Sequence, residues 1–254
     1  MHNWEEVHAQ HQTGKTYTSK VTGQTFPTLW VERFGKRFEV VDCGQVSAHN
    51  ASTFFDDEPV LGVLAEIQPG DVFVDAGAAL GSYTIPALAM GARVYAFEPC
   101  EDVATILLHN VMVNGWSSRC SILRDVLFDG GDYPAPLKAY AAEAKLDISQ
   151  TVALDEFFAG DNGRVDWLKL DVEGAELGLL EGASECLQAW KPTLVIEDHC
   201  GIDPGCAVSD YPASIDSSRK IHEMLAALGY SIEVVRHDVT RKYIVARHYS
   251  RGAK

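Results

Sequence analysis

The sequence lacks the features that hold small secreted proteins together or place proteins in membranes. Six cysteines are scattered over 254 residues without a CxxC pair, so neither a disulfide framework nor a zinc site of the usual spacing is expected. No apolar run is long enough to cross a bilayer, and residues 1–15 contain no signal-peptide core. We therefore expect a cytoplasmic protein that neither spans nor binds a membrane.

Basic residues are also scarce. Lysine and arginine number 21 against 36 aspartates and glutamates, which gives a formal net charge of −15. Phosphate backbones and anionic lipids attract clustered positive charge. The deficit therefore argues against a nucleic-acid or lipid-surface partner and favours a small molecule. The hydrophobic share of 46% is ordinary for a chain with a buried core.

Short apolar runs alternate with helical patterns along most of the chain. The runs are DVFVDAG, RVYAFEP, SILRDV, VDWLKLDVEG and PTLVIEDH; the helical patterns are LGSYTIPALAMG, EDVATILLHNVMVNG, LGLLEGASECLQ and SSRKIHEMLAALG. This alternation predicts a doubly wound α/β domain with a mostly parallel sheet. Two final runs, YSIEVVRHD and RKYIVARH, are close enough in sequence to predict an antiparallel C-terminal hairpin.

The N-terminal part has a different pattern. Residues 1–20 are polar and predict no element, whereas FPTLWVERF and KRFEVVDCG predict two strands that turn at Gly35. We assign residues 1–57 to an N-terminal extension and residues 58–254 to the α/β domain, with a helix near residues 58–66 at its start. The extension is a candidate substrate or homodimer element.

The first parallel run ends in VDAGAALGS, which suits a ligand site at the carboxyl end of a strand. Its glycines, Gly77 and Gly81, do not follow the G-x-G-x-x-G spacing of a dinucleotide site. Asp75 would repel a diphosphate and favour a cationic ligand. Glu98 ends the second run, where a carboxylate can accept hydrogen bonds from both ribose hydroxyls. These residues favour a nucleoside with positive charge over NAD.

At this point the sequence resembles a known family. VDAGAALGSYT, VYAFEP and the pair Asn110 and Asn114 resemble the S-adenosylmethionine site of class I methyltransferases; VDWLKLDVEGAELGLLEGA followed by KPTLVIEDH resembles the FkbM type in particular. The resemblance covers about residues 58–248. It implies a Rossmann-like, seven-stranded sheet, S-adenosyl-L-methionine as cofactor, and O-methylation of a sugar or natural-product hydroxyl. The family pattern has asparagine where this chain has Ala79.

The resemblance also implies roles for individual residues. Asp75, Gly77 and Gly81 would form the loop under the methionine part of the cofactor, Glu98 would hold the ribose, and Asp125 would contact adenine. The full set of predicted cofactor-binding residues is Asp75, Gly77, Ala79, Gly81, Ser82, Tyr83, Thr84, Glu98, Pro99, Asp125 and Asp171.

An alcohol acceptor needs a base, because a hydroxyl is a weak nucleophile. The candidates are Asp171 and Glu173 after the fourth run and His199 after the fifth. Asp171 could instead contact the cofactor's ammonium or cap the next helix, and Lys169 could pair with an acid or contact substrate. Together with Asp198, the three candidates could also hold Mg²⁺. We favour no metal, because adjacent residues on a strand point in opposite directions.

Other functions compete with O-methylation. The chain could methylate a nitrogen or a carboxyl group. It could also be an inactive cofactor-binding fold that serves as an interaction module, which the substitution at Ala79 keeps open. An NAD-dependent oxidoreductase is disfavoured by the glycine spacing. A nucleic-acid methyltransferase is disfavoured by the net charge and by the lack of an Asn-Pro-Pro-Tyr or Pro-Cys motif near the fourth run.

Overall fold

The architecture was obtained as a computed structural model of the 254-residue chain. The structure describes residues 9–43, 54, 59–129, 133, 138, 141–142, 148–159, 163–198, 212–236 and 242–251. Within these ranges the chain forms three sheets with helices around the largest of them.

The N-terminal extension is a three-stranded antiparallel sheet, with strands β1 (Gln12–Thr18), β2 (Thr25–Arg33) and β3 (Lys36–Val41) in that order. Both predicted strands are present. They turn at Phe34 and Gly35, whose φ values of 51° and 68° suit a tight hairpin. Strand β1 was not predicted, because its residues are polar and mostly exposed and so carry no apolar alternation.

The main sheet has seven strands, and its class and C-terminal hairpin are as predicted. The strands are β4 (Val72–Ala76), β5 (Arg93–Phe97), β6 (Cys120–Leu123), β9 (Trp167–Leu170), β10 (Thr193–Glu197), β11 (Tyr230–Arg236) and β12 (Lys242–His248). Their order is β11-β12-β10-β9-β4-β5-β6, and only the pairs that involve β12 are antiparallel. Strands β7 (Val126–Leu127) and β8 (Thr151–Val152) form a separate parallel pair.

Helices connect the strands. They are α1 (Thr84–Met90), α2 (Glu101–Val113), α3 (Leu154–Phe158), α4 (Glu176–Glu181), α5 (Ser184–Trp190) and α6 (Pro212–Ala227), with 3₁₀ turns at Pro59–Glu66, Ser117–Arg119 and Tyr249–Arg251. Pro86 lies in the first turn of α1, where its missing N–H has no helical partner to lose. No helix in the described ranges is long and apolar enough to cross a membrane.

The pattern LGLLEGASECLQ forms two helices, so the prediction of one continuous helix was wrong. The break lies at Gly182, between α4 and α5. A Cβ at this position would lie 3.1 Å from the Cα of Asp129, so the backbone there packs closely against a neighbouring segment. Glycine also has a low helix propensity.

Alternate residues of the parallel strands pack on opposite faces of the sheet. Phe73 and Trp167 join one apolar cluster with residues of α1 and α2, whereas Val74 and Leu168 join a second cluster with residues of α3 to α6. The extension contributes to the first cluster through Leu29, Val31, Phe38 and Val40. It therefore shares a core with the main sheet instead of forming its own.

Candidate active site

A cleft opens where β4 and β9 lie side by side. From β4 the chain continues to β5, toward one edge of the sheet, whereas from β9 it continues to β10, toward the other edge. Such a reversal of the strand order opens a crevice at the carboxyl ends of the two central strands. The cleft is open to solvent at its mouth. Its lining comprises the β4–β5 wall (Ala76, Gly77, Ala79, Phe97, Glu98, Pro99), the β9 wall (Asp171, Val172, Glu173), and Asp125, Val126, Leu127 and Ile148.

Gly77 is the point at which the two walls touch. Its φ is 74°, and a Cβ built on it would lie 1.8 Å from the carbonyl oxygen of Asp171. The N–H groups of Gly77 and Ala78 both donate to the carbonyl of Phe97 at 3.0 Å. Only glycine fits here, because any side chain would push the β9 wall away.

Glu98 lies at the end of β5 with its carboxylate held by backbone donors. One oxygen accepts from the N–H of Ala79 and the other from the N–H of Cys100, both at 2.9 Å. The residue is 7% exposed. Burial raises the pKa of Glu98, and the two backbone N–H groups offset part of this shift. Its orientation is thus fixed before any ligand binds.

Asp75 and Lys169 form a buried ion pair behind the cleft. They are direct neighbours across β4 and β9, and Lys169 Nζ lies 3.3 Å from the carboxylate of Asp75 and 3.5 Å from that of Asp171. It also donates to the carbonyl of Gly77 at 2.7 Å. Burial lowers the pKa of Lys169, but nearby carboxylates, that of Asp75 first, outweigh this effect and raise it. The ammonium therefore stays charged and connects both walls.

The β9 wall ends in a loop with unusual backbone angles. Glu173 has a φ of 54° and Gly174 a φ of 91°. A left-handed glutamate is uncommon, and such strain is found mostly at functional sites. Glu176 is fully buried and accepts hydrogen bonds from the N–H groups of Val172 (3.4 Å) and Gly174 (3.1 Å). Glu176 thereby ties the loop to the start of α4, of which it is the first residue.

The comparison with known proteins assigns the chain that forms this cleft to a family. A profile described as the methyltransferase FkbM domain matches residues 75–232, which include both walls. The chain belongs to the FkbM methyltransferase family. The match confirms the resemblance to the FkbM family that the sequence motifs indicated.

Two similar proteins show how far the likeness of this FkbM chain extends in sequence and in structure. The hexuronic acid methyltransferase AglP of Haloferax volcanii is 29% identical over 157 residues, which cover 56% of this chain and 62% of that protein. The crystal structure of methyltransferase FkbM from Methylobacillus flagellatus is similar at a TM-score of 0.50 and 17% identity, over 81% of this chain and 61% of that one. The chain thus spans less than two thirds of either relative, and the second shows likeness of fold alone.

Most residues predicted at the FkbM cofactor site line the cleft. They are Gly77, Ala79, Glu98, Pro99, Asp125 and Asp171, and the predicted catalytic residue Glu173 joins them. The apolar side chains of Val126, Leu127 and Ile148 were not predicted. Strand β7 is only two residues long, so it gave no recognisable pattern. His199 lies outside the described residues, so its place relative to the cleft stays a prediction.

Other predicted residues lie behind the cleft and support it. Asp75 is fully buried and accepts a 2.6 Å hydrogen bond from Thr84. The inference that its charge selects a cationic ligand was wrong, because Lys169 neutralises it. Tyr83 is buried next to Lys169, whose ammonium lies 5.1 Å from its ring centre. Ser82 does not line the cleft either.

Gly81 and Asp198 are also absent from the cleft lining and instead contact neighbouring helices. A Cβ on Gly81 would lie 2.6 Å from Leu107, so this glycine lets the loop approach α2. Asp198 is 3% exposed and accepts a 2.8 Å hydrogen bond from Ser218 of α6. Within the described ranges, no group of three or more His, Cys, Asp or Glu side chains is arranged to hold a metal ion.

The asparagines of α2 do not line the cleft. Asn110 accepts a 2.8 Å hydrogen bond from the N–H of Val41 and donates one of 2.9 Å to the carbonyl of Leu80. Asn114 accepts from the N–H of Glu39 at 2.9 Å and donates to its carbonyl at 2.7 Å. Both therefore bind β3 of the extension to α2.

Proposed function

We propose that this chain transfers a methyl group from S-adenosyl-L-methionine to a hydroxyl group of a sugar or small natural product. One observation carries the proposal. The carboxylate of Glu98, already oriented by two backbone N–H groups, lies in the cleft where the strand order of an FkbM domain reverses. The AglP relative, named as a hexuronic acid methyltransferase, supports a sugar acceptor.

The lining chemistry fits this cofactor. Glu98 would accept hydrogen bonds from the ribose hydroxyls, since each of its oxygens keeps a further lone pair beside its backbone donor. Val126, Leu127 and Ile148 offer an apolar surface to the adenine ring, beside Asp125. Asp171, whose side chain is 31% exposed, would face the ammonium of the methionine part. No lysine, arginine or histidine lines the described part of the cleft, which disfavours a diphosphate such as that of NAD.

S-adenosylmethionine supplies a methyl group on a sulfonium, and its transfer to a hydroxyl forms a C–O bond, breaks the S–C bond and releases the hydroxyl proton. The protein must therefore orient the acceptor and take that proton. Asp171 and Glu173 both line the cleft, and Lys169 Nζ lies 3.5 Å from the carboxylate of Asp171. We propose Glu173 as the proton acceptor, with Asp171 and His199 as the alternatives.

The charge of the lining favours a neutral acceptor. Glu98, Asp125, Asp171 and Glu173 place four carboxylates along the cleft. Like charges disfavour the approach of an anionic sugar. We therefore propose a neutral glycoside hydroxyl, in contrast to the hexuronic acid in the name of the AglP relative.

The first experiment is calorimetry of the purified protein with S-adenosylmethionine, S-adenosylhomocysteine and NAD, each with and without Mg²⁺. We expect micromolar binding of the first two, none of NAD and no effect of Mg²⁺. A magnesium effect would contradict the choice of no metal. No binding of either adenosyl compound would overturn the proposal and favour an inactive interaction module.

The second experiment screens acceptors with radiolabelled cofactor. Neutral methyl glycosides are expected to react faster than the matching glucuronides, and faster than amine or carboxylate acceptors of the same size. Preference for a glucuronide would overturn the neutral-acceptor proposal; preference for an amine would establish an N-methyltransferase. Glu173→Gln and His199→Ala are then compared at saturating cofactor, and the variant with the larger loss of kcat identifies the base.

The cytoplasmic location and the homodimer stay predictions. The four cysteines within the described residues, Cys43, Cys100, Cys120 and Cys186, form no disulfide with one another. Thiols of this kind suit a reducing compartment.

A further inference from the structure

Helix α2 contacts both the N-terminal extension and the loop from Gly77 to Gly81. On the loop side, Gly81 packs against Leu107, and Asn110 donates to the carbonyl of Leu80. On the extension side, Asn110 accepts from the N–H of Val41. Leu107 and Asn110 are three residues apart, so they lie on one face of the helix.

Asn110 is the residue that joins these two contacts. It is 1% exposed, and its amide uses the oxygen toward the extension and the nitrogen toward the loop. The carbonyl that it binds belongs to Leu80, the residue directly after Ala79. Ala79 lines the cleft, and its N–H donates to Glu98. Fixing the Leu80 carbonyl therefore limits the rotation of the backbone that presents Ala79 to the ligand.

We infer that Asn110 is a positioning residue for cofactor binding, through which the N-terminal extension supports the Gly77–Gly81 loop. The inference rests on the proposed function, because it takes the cleft to be the cofactor site. The loop contains a strained position, Ala79, with a φ of 47°. Without the bond from Asn110, the buried Leu80 carbonyl loses its partner and the loop relaxes away from that conformation.

Asn114, about one turn beyond Asn110 and directly after the last residue of α2, provides a matched control. Its side chain binds both backbone groups of Glu39 in β3 and the carbonyl of Asn110, and none of these hydrogen bonds reaches the loop. Replacing either asparagine by alanine removes hydrogen bonds that hold the extension, buried for Asn110 and partly buried for Asn114. Only the change at residue 110 removes the bond to the loop.

The test compares Asn110→Ala with Asn114→Ala in the full-length protein. Calorimetry gives the Kd for S-adenosylmethionine, thermal unfolding gives Tm, and hydrogen exchange with mass spectrometry follows the peptide over residues 77–83. At similar losses of Tm, we expect Asn110→Ala to raise Kd about tenfold and to speed exchange of this peptide. Asn114→Ala should change Kd less than about twofold. Equal changes in both variants would overturn the inference.

A second variant, Asn110→Asp, tests the same role if Asn110→Ala does not fold. Asn110→Asp retains an acceptor for the N–H of Val41, but a charged carboxylate repels the Leu80 carbonyl. Once protonated, it can donate to that carbonyl. Its Kd relative to that of the unmodified protein should therefore fall as the pH is lowered. A ratio that does not depend on pH would contradict the role.

Failure of the proposed function would be visible separately. If the unmodified protein does not bind S-adenosylmethionine, the cofactor site is wrong, and hydrogen exchange alone then decides the positioning role. Faster exchange of residues 77–83 in Asn110→Ala, but not in Asn114→Ala, would support it. Equal exchange would refute it.

Discussion

The β4–β5 wall and the β9 wall face each other across one cleft, but different interactions hold them. Backbone hydrogen bonds fix the β4–β5 wall: Glu98 accepts two, and the carbonyl of Phe97 accepts two more. The β9 wall depends on charge and strain, since Lys169 lies 3.5 Å from Asp171 and Glu173 has a φ of 54°. The first wall thus suits tight orientation of a ligand, and the second places the carboxyl groups of Asp171 and Glu173 at the cleft.

The largest loss of stability is expected when Lys169, whose ammonium contacts both walls, is replaced. Lys169→Met leaves the fully buried Asp75 without its counter-charge, which should destabilise the protein by about 3–5 kcal/mol. Urea unfolding measures the loss. Lys15→Met is the control: its 2.9 Å pair with Glu39 is exposed on the lysine side, so it should cost about 1 kcal/mol or less.

The double variant Lys169→Met with Asp75→Asn tests the reason for that loss. Removing the second charge should recover part of the stability, because no uncompensated carboxylate remains. If the double variant is less stable than Lys169→Met alone, the ion pair is not what joins the two walls.

Gly77→Ala tests the contact between the walls. The new Cβ would meet the Asp171 carbonyl at 1.8 Å, and the combination of steric overlap and positive φ should cost about 3 kcal/mol. Gly115 has nearly the same φ, 73°, with nothing within 4 Å of a built Cβ. Gly115→Ala should therefore cost only about 1 kcal/mol. Equal losses in thermal unfolding would show that the walls do not press on each other here.

Glu98→Gln tests the β4–β5 wall as a ligand site. Loss of charged hydrogen bonds should weaken S-adenosylmethionine binding by about 1.5–3 kcal/mol in calorimetry. Since burial raises the pKa of Glu98, its carboxylate becomes protonated at a higher pH than an exposed glutamate would. Its contribution to binding should therefore fade as the pH falls through that pKa, and this part of the pH dependence should be absent from the variant. The exposed Glu101→Gln serves as control.

The smallest expected effect is a gain in stability when Ala79 is replaced. Ala79 has a φ of 47°, a conformation that asparagine and glycine adopt more easily than alanine. Ala79→Asn and Ala79→Gly should each stabilise the protein by about 0.5 kcal/mol. If Asn at this position also contacts the cofactor, only Ala79→Asn should lower its Kd. Equal affinities would show that the family's asparagine acts here through the backbone alone.

The sequence predicted the parallel strands because each is a short, mostly apolar run that ends near an acid or glycine. It also predicted Gly77 and Glu98 at the cleft, since both directly follow or end such runs. It could not predict that Lys169 neutralises Asp75, because that pairing depends on the register of β4 against β9. The partners of Asn110 lie 30 and 69 residues away, and no local pattern reports contacts at such separations.

The hydrogen bond between Lys169 and Gly77 joins residues 92 positions apart. During synthesis, the extension, β4 and β5 emerge well before the lysine that completes their site. Contacts of such long range form late in folding. We therefore expect S-adenosylmethionine to stabilise the finished fold by mass action, without guiding the assembly of its first strands. A nascent chain that ends before β9 should not bind it.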